Sequence, residues 1–322
     1  MNTKDLPFNR KASIPVARIL ESLRDEMEFE PIAGYQGLNR PVYSPDINRP
    51  GLALSGYLEY FANDRIQLLG NTEIHFMETM PTAVLMQRLH EMFSFEVPVF
   101  VLSRNLEPLP IFLDICNRRG VPVLRTNKST DEVMSRIILY LAEEFSPETT
   151  AHGTAVDCFG VGCLIVGPPG IGKSETALEL VERGHRLVAD DAVRIKRLRE
   201  GHLYAETNAV VEHRMEIRGV GIIDVRSIFG VGCVRNIKRI GLVIELEMWS
   251  PEAHYDRTGL NEDHVEILGA KIPFIRIPVR PGRNIAIIIE VASLNHRLKE
   301  LGTNTAQELN QRILGMMTNT KN

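Results

Sequence analysis

Residues 163–184, with the sequence CLIVGPPGIGKSETALELVERG, contain the pattern that decides the fold of this chain. The apolar run 163–166 is typical of a buried strand, and residues 175–183 place apolar side chains on one helical face before Gly184. Between them lies the pattern G-x-x-x-x-G-K-[ST], in which glycines let backbone N–H groups surround phosphate oxygens at a helix N-terminus. The stretch predicts a strand, a phosphate-binding loop and a helix, the loop being Gly167, Pro168, Pro169, Gly170, Ile171, Gly172, Lys173 and Ser174.

The last two loop residues have predicted chemical roles. The Lys173 ammonium would reach the β and γ phosphates of a nucleotide, and the Ser174 hydroxyl would bind Mg²⁺. The plain alternative is a glycine-rich turn that binds nothing. The apolar strand before the loop and the helix after it favour the phosphate-binding interpretation.

Two adjacent carboxylates follow the next predicted strand. Residues 185–189 read as a strand that ends at Asp190 and Asp191, about one helix after the loop. An acidic residue at the end of a strand near a phosphate loop suits a metal ligand or a general base. Successive side chains on a strand point to opposite faces, so the two residues are expected to have different roles. A polar turn into the strand 193–198 is the structural alternative.

Composition sets the broad class of the protein. At about 150 residues per domain, 322 residues predict roughly two domains. A net charge of −4 offers no broad basic field, which argues against a dedicated nucleic-acid binder. The first ten residues lack an apolar core and no apolar run could span a bilayer, so we expect a cytoplasmic protein without membrane contact. No two of the four cysteines have CxxC spacing, which predicts reduced thiols at Cys116, Cys158, Cys163 and Cys233.

The N-terminal part predicts a small, Rossmann-like α/β domain. Its strands and helices alternate, which indicates a βαβ crossover. Ser129 and Glu132 have capping-box spacing and predict the start of the last helix, which runs through Leu141 toward Phe145. The other predicted elements are a helix over 15–27, strands over 65–69, 97–102 and 121–124, a helix from Pro81, and a helix over Pro110–Arg119 closed by Gly120.

A domain boundary is predicted just after this helix. The stretch 146–150, SPETT, is polar and contains a proline, which is typical of a linker. We therefore expect an N-terminal domain over 1–147 without a phosphate fingerprint, and a catalytic domain over 148–322. Residues 305–317 predict an amphipathic terminal helix, and the basic residues Arg194, Lys196, Arg197 and Arg199 predict the solvated face of a strand.

Several further blocks carry a family resemblance. The most specific is Met215-Glu216-Ile217-Arg218-Gly219-Val220-Gly221-Ile222-Ile223-Asp224-Val225. The others are His152-Gly153, 172–180, 184–191, Tyr255-Asp256-Arg257-Thr258-Gly259 and 278–284, with weaker similarity at 49–52 and 65–70. Together they resemble the bacterial HPr kinase/phosphorylase family over most of residues 150–300.

The resemblance implies a bifunctional enzyme. Members transfer phosphate from ATP or pyrophosphate to a serine of HPr, the carrier protein of the sugar phosphotransferase system. They also remove it by phosphorolysis, in which inorganic phosphate attacks the phosphoserine and pyrophosphate is released. The implied fold of the catalytic domain is a P-loop kinase similar to phosphoenolpyruvate carboxykinase, and the implied assembly is a homohexamer.

Site roles are implied at the matching positions. Asp191 would be the base toward the substrate serine and Asp190 would lie near the metal, with the reverse assignment as the alternative. Glu216 would be a second Mg²⁺ ligand, His152 would sit by the phosphate, and Arg257 would neutralise its charge. The segment tied to dephosphorylation is Pro278, Val279, Arg280, Pro281, Gly282 and Arg283.

Other interpretations stay open from the residues alone. An exposed surface position would explain each of His152, Glu216 and Arg257 taken alone. Their occurrence together with the phosphate loop, in one order along the chain, favours a catalytic role. A small-molecule kinase on the same fold and a non-catalytic ATP switch are the alternative functions. The loop also carries Pro168-Pro169 where many members of the family have a polar pair, which removes two N–H donors and leaves the donor preference undetermined.

Overall fold

The structure is a computed structural model that describes residues 9–198, 201–207, 212–252, 260 and 262–319. It divides into two compact units. The first is Arg10–Ser146, and the second is Pro147–Asn322 together with the residues up to Asn9. Asn9 belongs with the second unit because it exchanges two backbone hydrogen bonds with Glu148, of 2.9 and 2.8 Å.

The first unit is a five-stranded sheet with helices on both faces. Its strands run in the order β2-β7-β6-β5-β4; β4 to β7 are mutually parallel and β2 is antiparallel at one edge. The strands are β1 Ile14–Pro15, β2 Glu30–Ala33, β3 Pro41–Val42, β4 Ile47–Asn48, β5 Ile66–Leu69, β6 Phe100–Leu102 and β7 Val123–Arg125. The helices are α1 Val16–Met27, α2 Gly51–Ser55, α3 Asn71–Thr79, α4 Thr82–Met92, α5 Pro110–Arg119 and α6 Thr130–Glu144.

Local sequence signals explain the ends of these helices. Ser129 caps α6, and the side chain of Glu132 reaches back to the Ser129 backbone, so the predicted capping box is confirmed. Gly120 adopts a left-handed conformation after α5 and ends it as predicted. Apolar side chains from both faces of the sheet form two cores, one against α1 and α6 and one against α3, α4 and α5.

The second unit holds a longer mixed sheet. Its strands are β8 Glu148–His152, β9 Thr154–Cys158, β10 Val161–Val166, β11 Arg186–Ala189, β12 Ala192–Arg197, β13 Leu203–Glu206, β14 Arg214–Ile217, β15 Gly221–Asp224, β16 Ile237–Met248, β17 Asp263–Ile267 and β18 Ala270–Val279. Its helices are α7 Lys173–Glu182, α8 Val225–Phe229, α9 Ile285–Glu300 and α10 Thr305–Asn319.

Nine of these strands form one sheet, in the order β11-β9-β10-β16-β13-β12-β8, with β18 against β16 and β17 against β18. The central strands β10, β16 and β18 are parallel, and their neighbours are antiparallel. Helices α7 and α9 cover one face through a core that includes Ile165, Leu180 and Ile289. The opposite face forms a second core with β8, β12 and β13. The strand β14 pairs with β15 in a separate hairpin.

Two predictions from the sequence are wrong. The stretch 146–150 is not wholly a linker, because Glu148–His152 is β8 and pairs with β12 across five register positions. Lys196 does not lie on a solvated face: it is 9% exposed and forms an ion pair of 3.0 Å with Glu206. Arg194 also pairs with Glu148 on β8, so cross-strand carboxylates neutralise Arg194 and Lys196. Arg199 lies outside the described residues.

The predicted terminal helix is confirmed as α10. The four cysteines are free and buried. Burial raises the pKa of the Cys158 thiol to about 11 and that of Cys163 to about 12, so both thiols are protonated at neutral pH. In the part of the chain that the structure describes, no helix is both long and apolar enough to cross a bilayer.

Candidate active site

The glycine loop, residues Gly167–Ser174, connects the buried strand β10 to helix α7 as predicted. Gly167, Gly170 and Gly172 have positive φ angles of 150°, 78° and 99°. A Cβ atom at Gly167 would lie 2.4 Å from the Leu246 carbonyl oxygen of the neighbouring strand. Glycine is therefore required at 167 by both backbone conformation and space, while at 172 only the conformation requires it.

Lys173 is the first residue of α7, and its side chain folds back over the glycine loop. Its Nζ atom donates hydrogen bonds to the carbonyl oxygens of Gly167, at 3.0 Å, and Pro168, at 3.2 Å. The positive end of the α7 dipole points toward the same loop. The loop therefore combines a cationic side chain, a helix N-terminus and a tight backbone turn, which are the requirements for holding phosphate groups.

Asp190 follows β11 and is the buried acid of the site. Its Oδ1 atom accepts hydrogen bonds from the hydroxyls of Thr154, at 2.6 Å, and Ser174, at 3.1 Å. The residue is 8% exposed. Burial raises the pKa of this carboxyl, against the opposing effect of the two hydroxyl donors. The contact joins the Asp190 carboxylate directly to the last residue of the glycine loop.

Sequence reasoning did not identify Thr154, although it belongs to this cluster. It is the first residue of β9 and is completely buried. The available signal was its position directly after His152-Gly153, a block that carries the family resemblance.

Asp191 lies beside Asp190 but faces outward. Its φ angle is 62°, and the Ala192 N–H donates to the Asp190 carbonyl at 2.8 Å, which closes a three-residue turn centred on Asp191. This left-handed turn directs the two carboxylates apart, and the Asp191 side chain is 90% exposed. Asp191 is therefore accessible from outside the protein, whereas Asp190 is not.

His152 ends β8 opposite this turn. Its Nδ1 atom lies 4.0 Å from Oδ1 of Asp191, and its side chain is 89% exposed. Gly153 donates its N–H to the Asp191 carbonyl at 3.1 Å, and a Cβ atom at 153 would lie 2.5 Å from the Ile165 carbonyl oxygen. Glycine after His152 thus permits the close approach that places His152 beside Asp191.

The β14–β15 hairpin lies beside the glycine loop. Met215 is buried in the core that includes α7, whereas Glu216 is exposed. Within the described residues, no hydrogen bond joins Glu216 to Ser174 or Asp190. Arg218, which the sequence did not single out as a site residue, places Nη1 3.1 Å from the position of a Cβ on Gly170. Its guanidinium is therefore a cation at the edge of the loop.

The segment 278–283 connects β18 to α9. The Arg283 Nη1 atom donates to the Pro278 carbonyl at 3.1 Å, which closes the loop on itself. Arg280 lines an open groove of 950 Å³ that Trp249 and Arg276 also line. Arg257 lies outside the described residues.

The donor set fits Mg²⁺ in the way that phosphotransferases hold this ion. Among the described residues, no group of three or more His, Cys, Asp or Glu side chains could enclose a metal by itself. Mg²⁺ is commonly bound by one or two carboxylates together with substrate phosphates, rather than by an all-protein cage. The carboxylate of Asp190 and the hydroxyl of Ser174, 3.1 Å apart beside the glycine loop, meet that requirement.

Two models of one protein family match this chain. The family described as HPr Serine kinase N terminus matches residues 15–141, and the HPr Serine kinase C-terminal domain matches residues 143–313. These matches span both units, so the chain belongs to the HPr serine kinase family and has its two-domain architecture. The resemblance seen in the sequence is confirmed.

Curated relatives are similar in sequence to this chain along nearly their full length. An HPr kinase/phosphorylase of Geobacillus kaustophilus is 46% identical over 289 residues, which cover 90% of this chain and 93% of the relative. One from Thermoanaerobacter sp. is 43% identical over 300 residues, covering 93% and 98%. A solved structure of the Hpr(Ser) kinase/phosphatase from Coxiella burnetii matches 50% of this chain and 98% of its own, with 35% identity and a TM-score of 0.45.

Proposed function

We propose that this enzyme phosphorylates a serine of the carrier protein HPr, using ATP or pyrophosphate, and reverses the reaction by phosphorolysis. The relatives named above are HPr kinase/phosphorylases, which supports the reaction class. The observation that carries the proposal is the division between a buried Asp190 bonded to Ser174 and an exposed Asp191 beside His152.

The glycine loop is the proposed phosphate site. In our proposal its backbone N–H groups and Lys173 hold the donor phosphates, on a P-loop kinase domain similar to phosphoenolpyruvate carboxykinase. The strand–loop–helix geometry and the position of Nζ over the loop support this assignment. Two prolines in the loop leave fewer N–H donors, so Lys173 carries a larger share of the phosphate contacts.

Asp190, Ser174 and Glu216 would hold Mg²⁺. When bound, this ion offsets the negative charge of the donor phosphates. Burial of Asp190 at the end of β11 supports a fixed ligand, since the side chain is held by Thr154 as well as Ser174. Glu216, exposed on the β14–β15 hairpin, would be the second carboxylate ligand.

Asp191 is the proposed general base. In the kinase direction its carboxylate removes the proton as the substrate serine oxygen bonds to the terminal donor phosphorus and the bond to the leaving phosphate breaks. In the reverse direction inorganic phosphate attacks the phosphoserine phosphorus, and Asp191 returns the proton to the leaving serine oxygen. Its full exposure on the left-handed turn supports contact with a folded protein substrate.

The remaining site residues would manage phosphate charge. His152 lies beside Asp191 and is placed to donate a hydrogen bond to a transferred phosphate. We extend the same role to Arg257 on the family resemblance. The segment Pro278–Arg283 is proposed for phosphorolysis, in which Arg280 would bind the attacking inorganic phosphate.

We further infer a cytoplasmic homohexamer that contacts neither nucleic acid nor membrane. The domain roles follow the division near residue 147: the second unit is catalytic, and a task for the first unit is not assigned. Free buried thiols support a reducing compartment.

The test measures both directions on the purified full chain. Protein, HPr and Mg²⁺ are mixed with ATP or with pyrophosphate, and phosphoserine is followed; phosphorylated HPr is then mixed with inorganic phosphate, and pyrophosphate is followed. We expect transfer in both directions, and loss of both in Lys173→Ala. Lys128→Ala, which removes a lysine of the first unit that pairs with Glu28, serves as the matched control. If neither ATP nor pyrophosphate supports transfer to HPr, the proposal is rejected.

A further inference from the structure

A second cavity lies at the end of the sheet away from the glycine loop. It measures 590 Å³ and is lined by the start of β16, by β18 and by α9. Leu242, in its wall, pairs with Cys163 near the start of β10, whereas the glycine loop follows Val166 at the end of that strand. At about 3.3 Å per strand residue, the two places are roughly 10 Å apart along β10. The cavity is therefore separate from the site described above.

Basic side chains from four different elements meet in this cavity. They are Arg197 on β12, Arg239 on β16, Lys271 on β18 and Lys299 on α9. Arg197 is held in place, since its Nη1 atom donates to the Leu268 carbonyl at 2.9 Å. Arg239 and Lys271 form no ion pair with any residue that the structure describes. Because these cations come from distant parts of the chain, the cluster differs from the solvated basic face of a single helix or strand.

The acidic residues of the cavity do not offset these cations fully. Glu262 is neutralised by Lys299, at 3.0 Å. Asp263 and Glu300 also line the cavity, and Glu300 lies 3.6 Å from the Nε2 atom of His296. Two carboxylates therefore face three cations that are not committed to a carboxylate, and the excess is positive.

His296 adds a buried nitrogen, Nε2, that forms no hydrogen bond within the described residues. Gly241 makes room for this ring, because a Cβ there would lie 3.3 Å from Nε2. Burial lowers the pKa of His296, although the charges of Glu300 and Glu262 act to raise it. The Glu300 carboxylate, at 3.6 Å, is beyond hydrogen-bond distance, and a buried nitrogen without a hydrogen bond needs an explanation, of which a bound ligand is one.

We propose that this cavity binds a small organic anion, a molecule with at least one carboxylate or phosphate group, between Arg239 and Lys271. Guanidinium and ammonium groups recognise oxyanions by charge-assisted hydrogen bonds. A volume of 590 Å³ suits a small metabolite and is too small for a folded partner. The inference goes beyond the proposed function and does not depend on it.

The test uses calorimetric titration of the full chain with two probes, succinate for a carboxylate and inorganic phosphate for a phosphate. It is run in a Lys173→Ala background, which removes the main cation of the glycine loop. We expect at least one probe to bind, and Arg239→Ala with Lys271→Ala to weaken that binding at least tenfold. Lys271→Ala alone should weaken it by an intermediate factor, which guards against a folding defect in the double variant.

The matched control is Arg24→Ala with Arg186→Ala, which removes two exposed cations outside the cavity. This pair should leave probe binding unchanged. Binding of succinate alone, phosphate alone or both supports the site and identifies the group it accepts. Absence of binding by both probes, or equal binding by the cavity and control variants, would overturn the proposal, whatever the result of the HPr assay.

Discussion

The carboxylates of Asp190 and Asp191 lie in opposite environments although the residues are neighbours in the chain. Asp190 is 8% exposed and accepts hydrogen bonds from Thr154 and Ser174, while the side chain of Asp191 is 90% exposed beside His152. The left-handed turn at Asp191 causes the separation. Two residues of the same type can therefore hold a ligand and move a proton, respectively.

This separation predicts distinct kinetic effects. Asp191→Asn should lower the rate of HPr phosphorylation by about 10²–10⁴-fold, the range that a general base contributes, with the Mg²⁺ requirement unchanged. Asparagine tolerates the left-handed backbone, so the fold should be retained. Asp190→Asn keeps an acceptor for Thr154 and Ser174 but loses the charge, and should instead raise the Mg²⁺ concentration needed for half-maximal rate. Rates measured across Mg²⁺ concentrations distinguish the two variants. If Asp190→Asn lowers the rate and Asp191→Asn raises the Mg²⁺ requirement, the base is Asp190.

The glycines of the loop predict unequal losses of stability. Alanine at 167 would place its Cβ 2.4 Å from the Leu246 carbonyl oxygen and would also have to adopt a positive φ angle. Alanine at 172 would be strained by the positive φ angle alone. Gly172→Ala should cost about 1–2 kcal/mol in free energy of unfolding, and Gly167→Ala should cost more because a strand must also shift. Urea unfolding of both variants checks this order. Equal losses would show that β16 can move away from the loop without cost.

The segment 278–283 predicts a change in the balance of the two reactions. The Arg280 side chain lines the open groove and forms no hydrogen bond or ion pair among the described residues, so its removal should not disturb the fold. Arg280→Ala should lower phosphorolysis by at least tenfold and lower HPr phosphorylation much less, because only phosphorolysis needs bound inorganic phosphate. The measurement is the ratio of the two initial rates. Arg276→Ala, in the same groove, is the control, and an unchanged ratio in Arg280→Ala would remove this residue from the phosphate site.

An ion pair between α7 and α9 predicts a pH-dependent stability. Glu290 accepts from Arg183 at 3.0 and 2.7 Å and contacts His185 at 2.9 Å. Hydrogen bonding from Arg183 lowers the pKa of Glu290, so its contribution is present above the ordinary glutamate pKa, about 4.3, and is lost as pH falls through the lowered pKa. Since the pair is partly exposed, we expect about 1 kcal/mol at most.

Glu290→Gln isolates this charge, because glutamine still accepts hydrogen bonds. The wild type should exceed the variant in urea midpoint at pH 6, and the difference should shrink toward zero near pH 3. Glu182→Gln on the exposed surface of α7 is the control and should show no such trend. A difference that stays constant between the two pH values would mean that packing, and not charge, joins the helices here.

Local patterns were sufficient for many elements. The apolar run before Gly167, the glycines of the loop and the helical periodicity after it predicted β10, the loop and α7, because each signal acts within a few residues. The Ser129–Glu132 capping box and Gly120 likewise predicted helix ends that the structure confirms. The prediction failed at 148–150, where a polar stretch became part of β8 because it pairs with Arg194, Ile195 and Lys196 of β12, which lie far along the chain.

By itself the sequence determined the two-part α/β organisation, the glycine loop and the family, since these depend on local spacing and on ordered blocks of residues. Only the tertiary structure decided how the acids of the site differ: Thr154, Ser174 and Asp190 meet because β9, α7 and β11 pack together, and a turn then directs Asp191 outward. The same is true of the second cavity, whose cations come from β12, β16, β18 and α9. Contacts between distant segments depend on the whole packing of the sheet, which no short pattern encodes.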